Sequence, residues 1–299
     1  MKPRPISSRV GAYVKAVSDA VLGRKIAGRE LTVFPDDIFL VSYLRSGSTW
    51  ARFLFGNLIH QGEPPVTFTN VNRLVPMIYD FPDRVLRSLP RILKSHECFD
   101  LRYPRVIHIV RDPRDVAASF YYYNLKVREL ADGFPMNEFV TRFIAAHTVG
   151  YADRLGSWED HTLSWLRLRQ GRSNYQLVRY EDLLSDPAKE LTKMASLLGI
   201  CVTPARVERA VNLSSADHMR SLEQTQGKEW RTTKGTRSDI PFVREAKSGG
   251  WRKQLSEASV RNIEQAWGAA MRTLGYELAG SSRLPEQAAH TIEKPYATR

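Results

Sequence analysis

The sequence has few cysteines and no long hydrophobic run. Only two of its 299 residues are cysteine, Cys98 and Cys201, and their spacing matches no metal-ligand motif. This excludes a small domain held together by disulfides, and we expect two free thiols, a reducing compartment and a cytoplasmic location. No apolar stretch approaches the ~20 residues that cross a bilayer, and no secretory signal pattern is present. We predict neither a transmembrane segment nor a metal site.

Acidic residues are scarcer than basic ones. The chain carries 44 Lys and Arg against 32 Asp and Glu, which gives a formal net charge of +12 and a pI near 9.8. Such a balance favours an anionic partner, either nucleic acid, an anionic membrane surface or a strongly anionic small ligand. A generally basic surface explains the charge equally well. No recognition motif and no interleaved aromatic–basic stripe supports a nucleic-acid-binding protein, so we expect no nucleic-acid partner.

The chain divides into a body and two end segments. Residues 1–30 are basic and have apolar residues at helical spacing, which predicts an appended helix. That helix is expected to pack against the body, with peripheral contact to an anionic membrane as the alternative. Residues 31–278 form the predicted domain, and residues 279–299 are predicted to be an irregular tail.

The stretch from Asp37 to Trp50 has the pattern of an anion-binding turn. Residues 37–43, DIFLVSY, are short, apolar and β-branched or aromatic, which predicts a buried strand. Residues 44–49, LRSGST, are small and hydroxylic with one cation, and they lead into apolar residues at helical spacing. A strand, a Gly/Ser turn and a helix N-terminus bind anions because unpaired backbone N–H groups and the helix dipole point at the ligand.

This turn differs from the phosphate loop of ATP-binding proteins. That loop requires G-x-x-x-x-G-K-[ST], in which the lysine reaches the β- and γ-phosphates. Here Ser42 stands at the first glycine position and Ser48 at the lysine position, whereas the cation, Arg45, precedes the glycine. Asp112, after the third predicted strand, is interpreted as a helix cap and not as a Mg²⁺ ligand. The turn therefore predicts a site for one phosphate, and a phosphoryl-transfer kinase is the weaker alternative.

Strand and helix patterns alternate along the chain. Strands are predicted near 37–43, 90–96, 106–110 and 175–180, with helical segments between them. Alternation of this kind argues for an α/β, P-loop-like three-layer fold with a central, mostly parallel sheet flanked by helices. Helices are predicted near 136–149, 157–170, 187–198 and 255–274. Residues 66–90 are predicted to form a substrate-side loop with short helices, and residues 225–250 a long mobile loop.

Five motifs occur in the order in which one enzyme family has them. SYLRSGSTW resembles the 5′-phosphosulfate loop of the cytosolic-type sulfotransferases, which use 3′-phosphoadenosine 5′-phosphosulfate (PAPS). VRDPRDVAASFYYY resembles their 3′-phosphate segment, LGSWEDH their GSWxxH element, VRYEDLLSDP their YEDL strand end, and PFVREAKSGGWRK their C-terminal RKGxxGDWK loop. The motifs cover residues 38 to about 260. The chain is therefore identified as a member of the PAPS-dependent sulfotransferase family.

The resemblance implies a set of cofactor residues for PAPS and its product, 3′-phosphoadenosine 5′-phosphate (PAP). The 5′-phosphate would be bound at the turn, the adenine would stack on tryptophan, and the 3′-phosphate would be clamped by arginine and serine. The implied cofactor residues are Arg45, Ser46, Gly47, Ser48, Thr49, Trp50, Arg111, Ser119, Tyr180, Ser214 and Arg244. Trp158 and His161 have no obvious reactive role and are interpreted as packing residues.

Three residues are predicted to carry the chemistry. Sulfuryl transfer moves a neutral SO₃ fragment, so the protein mainly supplies positioning and charge, with no metal required. Lys94 and Arg45 are cations suited to the bridging oxygen and the sulfonate. His96 follows two residues after Lys94 in a KSH triplet similar to the family's K-[ST]-H, and an imidazole suits a general base that takes the proton of an acceptor hydroxyl. His108, in the middle of an apolar strand, is interpreted as structural.

The chain departs from the family pattern at several positions. Arg45 replaces the usual lysine, Glu245 and Ala246 replace Lys-Gly in the C-terminal loop, and Gly250 replaces the aspartate before Trp251. We therefore expect Glu245 to bring negative charge near the 3′-phosphate unless it turns away. The acceptor is predicted to be a small-molecule, glycolipid or other amphiphilic alcohol, with an amine as the alternative, and the oligomeric state is left open.

Overall fold

The computed structural model describes residues 31–59, 64–79, 91–147 and 155–279. The predictions made for the basic segment 1–30 and for nearly all of the tail 279–299 lie outside these residues. Within the described ranges, no helix is long and apolar enough to cross a membrane.

Four parallel strands form the centre of the described fold. They are β1 (Ile38–Ser42), β2 (Ile92–Ser95), β3 (Arg105–Val110) and β4 (Tyr175–Arg179), and their order across the sheet is β2-β1-β3-β4. Every neighbouring pair is parallel, with Leu40 opposite both Lys94 and Ile107. The predicted central parallel sheet is confirmed, and its strands begin and end within two residues of the expected positions.

Helices connect the strands and cover both faces of the sheet. They are α1 (Ser48–Ile59), α2 (Val71–Leu74), α3 (Pro113–Lys126), α4 (Met136–Ile144), α5 (Trp158–Arg169), α6 (Tyr180–Ser185), α7 (Pro187–Leu197), α8 (Pro204–Asn212), α9 (Ala216–Gln226), α10 (Trp251–Gln254) and α11 (Glu257–Thr273). The crossovers between parallel strands need such helices, which accounts for the alternating pattern in the sequence.

Alternate residues of β1 pack into different layers. Ile38 and Leu40 belong to a core shared with α1, α7 and α8, whereas Phe39 and Val41 pack with Tyr103 and Trp165 on the other face. All five residues of the strand are fully buried. A strand buried on both faces is continuously apolar, which is why this stretch is recognisable in the sequence.

Side-chain caps fix where several helices begin. The Asp112 carboxylate accepts a hydrogen bond from the Arg114 backbone N–H, with proline in the first turn of α3, so its interpretation as a cap is confirmed. Ser157 and Asp160 form a reciprocal capping box at the start of α5. Cys98 and Cys201 are both free thiols, as expected.

Candidate active site

The carboxyl ends of all four strands meet at one edge of the sheet, as they must when the strands are parallel. The chain leaves β1 into the turn at 43–47, β2 into His96, β3 into Arg111 and β4 into Tyr180. A cavity of about 540 Å³ opens at this edge and is lined by residues from each of the four exits.

Most of the implied site residues line this one cavity. The lining members are Arg45, Gly47, Ser48, Thr49, Trp50, Lys94, His96, Arg111, Ser119, Tyr180 and Arg244. Ser46 and Ser214 do not line it; both are fully buried behind it. Residues far apart in the chain are thus brought together by the sheet.

The turn between β1 and α1 has the geometry of an anion cradle. Gly47 adopts a φ of 96°, and a Cβ at this position would lie 2.5 Å from a ring carbon of Tyr180. Glycine is therefore required both by the backbone and by the close approach of that ring. The hydroxyl of Ser46 is buried and has no hydrogen-bond partner among the described residues. An unsatisfied buried hydroxyl beside a helix N-terminus suits a bound phosphate oxygen.

Trp50 is held in place by the segment before α9. Its indole N–H donates to the Ser214 carbonyl at 2.9 Å, and the Ser214 hydroxyl accepts from Asn57 at 3.1 Å. The Trp50 ring meets the Tyr180 ring edge to face, with centroids 5.7 Å apart. Ser214 is therefore positioned to orient Trp50, while its implied role as a cofactor residue stays a prediction.

Arg111 joins the turn to the C-terminal loop. Its guanidinium donates to the carbonyl oxygens of Arg45 at 3.2 Å and of Lys247 at 3.1 Å, and it lies over the Tyr180 ring. Trp158 holds the Arg111 backbone through an N–H···O bond of 3.2 Å. The Arg111 Nε is buried without a partner in the described structure. That unsatisfied donor is compatible with a phosphate, as the 3′-phosphate prediction requires.

Arg244 and its neighbour Glu245 lie at the far end of the cavity. The Arg244 guanidinium stacks on Tyr122 at 3.6 Å and donates to Gln254 at 3.2 Å. The Glu245 carboxylate accepts from Gln254 at 2.8 Å, and a Cβ at Gly250 would lie 2.8 Å from it. Two departures from the family pattern are therefore coupled, because the missing side chain at Gly250 leaves room for Glu245.

Asp115 is a site residue to which the sequence analysis gave no role. It is buried at the start of α3, and its carboxylate accepts from the backbone N–H groups of Gly249 at 2.7 Å and Trp251 at 2.9 Å. Burial raises its pKa, against the opposing influence of Arg111 and of these two hydrogen bonds. Asp115 fastens the C-terminal loop to the helix that follows Arg111. In the sequence, only its position in the VRDPRD motif, four residues after Arg111, pointed to a role at the site.

Lys94 and His96 lie together at the end of β2. Lys94 has a nearly buried side chain, and its Nζ approaches the Met77 sulfur at 3.8 Å. The His96 Nδ1 lies 2.7 Å from the Ser42 carbonyl oxygen. Since a carbonyl oxygen only accepts, Nδ1 carries the proton of the neutral ring, and Nε2 keeps the lone pair. The backbone of β1 thus selects the tautomer of His96.

The His96 imidazole is neutral at physiological pH in this site. Desolvation lowers its pKa well below the usual range, and the nearby Lys94 ammonium lowers it further. His108 and His161 are buried as well, and desolvation depresses both of their pKa values. The His108 Nδ1 bonds the Tyr175 hydroxyl at 2.8 Å inside the sheet layer, in agreement with a structural role.

The rest of the cavity wall is largely apolar and aromatic. It is formed by Met77, Phe120, Tyr123, Val127, Met219, Trp230 and Phe242, with Asn72, Glu129 and Thr232 among the polar members. Apolar walls with a few polar groups are typical of a site for a small organic molecule.

Comparison with known proteins agrees with this geometry. The family model described as the sulfotransferase domain matches residues 35–275. Cytosolic sulfotransferase 12 of Arabidopsis thaliana is 28% identical over 278 residues, covering 85% of this chain and 82% of that protein.

Two solved structures have a similar fold. Mouse sulfotransferase SULT7A1 complexed with PAP aligns with a TM-score of 0.61 and 24% identity, covering 81% of this chain and 86% of that one. Retinol dehydratase in complex with androsterone and PAP aligns with a TM-score of 0.63 and 18% identity, covering 86% and 85%. Because the family model spans most of the chain, the protein belongs to the sulfotransferase domain family, and it is an enzyme of the PAPS-dependent class that its motifs predicted.

Proposed function

We propose that this enzyme transfers the sulfuryl group of PAPS to the hydroxyl of a small, apolar acceptor, with His96 as the general base. The observation that carries the proposal is the hydrogen bond from His96 Nδ1 to the Ser42 carbonyl. It leaves Nε2 of a neutral imidazole as the group able to take a proton at the cavity wall.

The cofactor would be held at several points of the cavity. The backbone of the turn and the hydroxyls of Ser46, Ser48 and Thr49 would bind the 5′-phosphate, and Arg111 with Ser119 the 3′-phosphate. PAPS, when bound, supplies the sulfuryl group and a good leaving group. Trp50, Tyr180 and Arg244 are also proposed to bind the cofactor, because the resemblance implies it and because all three line the cavity.

The proposed reaction balances without a further reactant. His96 Nε2 takes the proton of the acceptor hydroxyl while the acceptor oxygen forms its bond to sulfur and the bond from sulfur to the leaving phosphate oxygen breaks. Lys94 and Arg45 carry positive charge beside the site, which suits stabilisation of the charge that develops on the bridging oxygen and the sulfonate.

The apolar wall supports an alcohol or phenol as acceptor over a sugar. Met77, Phe120 and Trp230 offer burial to an apolar ring or chain, and a buried sugar hydroxyl without a partner would cost free energy. Androsterone, which is bound in the structure of retinol dehydratase, is a largely apolar alcohol of the kind proposed here as acceptor. A cytoplasmic location is part of the same proposal and rests on the two free thiols.

An acceptor panel tests this proposal. Enzyme and labelled PAPS are incubated with 2-naphthol, androsterone, dodecanol and glucose, each beside its O-methyl ether as a matched control. We expect label on one or more of the apolar alcohols and none on the corresponding ethers. Transfer to glucose alone, or to none of the hydroxyls, would reject the proposed acceptor class.

A further inference from the structure

The Arg45 guanidinium contacts two aromatic rings in addition to lying beside the phosphate-binding turn. Its guanidinium carbon lies 4.7 Å from the centroid of the Tyr123 ring and 4.6 Å from that of Phe242. These two rings are nearly perpendicular, with centroids 6.2 Å apart, so the guanidinium occupies the corner between them. All three side chains line the cavity.

The backbone directs Arg45 into this corner. Arg45 has a φ of 63°, a left-handed conformation that is unfavourable for a residue with a Cβ. Its Nε donates to the Ser119 hydroxyl at 3.3 Å, and its carbonyl accepts from Arg111. The residue therefore links the 3′-phosphate side of the cavity to the two aromatic rings.

Phe242 belongs to a segment, residues 237–243, which is held both by backbone hydrogen bonds and by the Phe242 ring, whose centroid lies 4.8 Å from that of Trp230. The buried Lys126 ammonium donates to the carbonyl oxygens of Arg237 at 2.8 Å and Ile240 at 2.6 Å. The Glu223 carboxylate accepts from the backbone N–H groups of Phe242 at 2.5 Å and Val243 at 2.9 Å. These bonds hold the segment from one side, and Arg45 contacts it from the cavity.

We propose that Arg45 is a positioning residue that couples the phosphate-binding turn to the segment 237–243 on the acceptor side. A planar guanidinium can lie against two rings while its Nε bonds a hydroxyl, whereas a lysine ammonium offers one compact charge. The substitution of arginine for the family's lysine thus adds a connection between the two halves of the site. The effect of this connection on acceptor binding rests on the proposed function, whereas the contact between Arg45 and the segment 237–243 does not.

Hydrogen exchange tests the connection without any acceptor. Arg45→Lys retains the charge, the Cβ and the backbone strain, and removes the planar group together with its Nε bond to Ser119. We expect exchange of the Phe242 and Val243 amides to become about five- to tenfold faster, since a desolvated cation–π contact stabilises by that order. Arg142→Lys is the matched control, because Arg142 stacks on Phe134 at the surface away from the site, and it should leave these amides unchanged.

A double-mutant cycle identifies the partner. Phe242→Leu should accelerate the same amides, and Arg45→Lys added to it should have little further effect, because both changes remove the contact between Arg45 and Phe242. Wild-type exchange in Arg45→Lys, or fully additive effects, would overturn the proposal. PAP binding by each variant, measured by calorimetry, reports separately on the cofactor site.

Kinetics with 2-naphthol as the probe acceptor separate positioning from charge. For Arg45→Lys we expect the acceptor KM to rise about five- to tenfold, and this rise should exceed any change in kcat or in the KM for PAPS. A loss confined to kcat would overturn the positioning role on the acceptor side, because the guanidinium would then act in the chemical step. If 2-naphthol is not a substrate, androsterone or dodecanol replaces it; if none of the three is sulfated, the proposed function fails while the exchange measurement still decides the connection.

Discussion

At the scale of single residues, the sequence identifies the side chains of the site. It does not show which other side chains they contact. Arg45 is recognisable as a cation beside a phosphate-binding turn, but its contact with Phe242 depends on a loop almost 200 positions later in the chain. Glu245 looked unfavourable for a 3′-phosphate. It contacts Gln254 and packs over Gly250, and only the fold brings those residues to it.

Arg111 provides the residue-scale prediction. Arg111→Ala should weaken the binding of PAP about 10- to 100-fold, because a charge-assisted hydrogen bond to phosphate contributes about 1.5–3 kcal/mol. Binding of adenosine 5′-monophosphate, which lacks the 3′-phosphate, should change much less. Calorimetric titration with both nucleotides measures the difference between the two losses of affinity. A general loosening of the turn would weaken both nucleotides equally and would not contribute to that difference.

Arg111→Lys is the control for this substitution. Arg111→Lys retains the positive charge but not the two donors that reach Arg45 and Lys247. Its affinity for PAP should therefore lie between those of the wild type and Arg111→Ala. Equal losses for PAP and adenosine 5′-monophosphate in the alanine variant would refute a role of Arg111 at the 3′-phosphate.

At the scale of elements, the strands and the long helices could be predicted because their burial leaves a periodic pattern. Strands β1 and β3 are predominantly apolar, and α7 begins at an Asp-Pro pair that caps it. A long mobile loop was predicted at 225–250; the described structure has no helix or strand between Gln226 and Trp251, and the mobility stays a prediction. The attachment of this loop through Lys126 and Glu223 was not predictable, because no local pattern reports a side chain that bonds a distant backbone.

Asp115 provides the element-scale prediction. Asp115→Asn should lower the melting temperature and weaken PAP binding roughly tenfold, because an amide can accept with one oxygen only and leaves one of two backbone N–H groups unpaired, at a cost of about 1–3 kcal/mol. Thermal unfolding and calorimetry measure the two effects.

Asp186→Asn is the matched control for this change. Asp186 caps α7 through a single bond from the Lys189 N–H, and asparagine is an equally good cap. It should therefore leave both stability and PAP binding close to wild type. If Asp115→Asn behaves in the same way, the carboxylate does not hold the C-terminal loop.

At the scale of the whole molecule, the fold class was predictable and the site's assembly was not. Alternating strands and helices imply a parallel sheet, and a parallel sheet brings its carboxyl ends to one edge. The strand order β2-β1-β3-β4 cannot be obtained from local pattern. That order places His96, at the end of β2, beside the Ser42 carbonyl at the end of β1, and so determines which nitrogen of the imidazole can act as a base.

The most direct test of this account compares sulfuryl transfer by the wild type and His96→Asn at saturating PAPS. Asparagine can retain a donor to the Ser42 carbonyl but cannot accept the proton. We predict a fall in kcat of about 10²- to 10⁴-fold, with PAP affinity unchanged by calorimetry. Turnover close to wild type would contradict the account, because the base would then be a group other than His96.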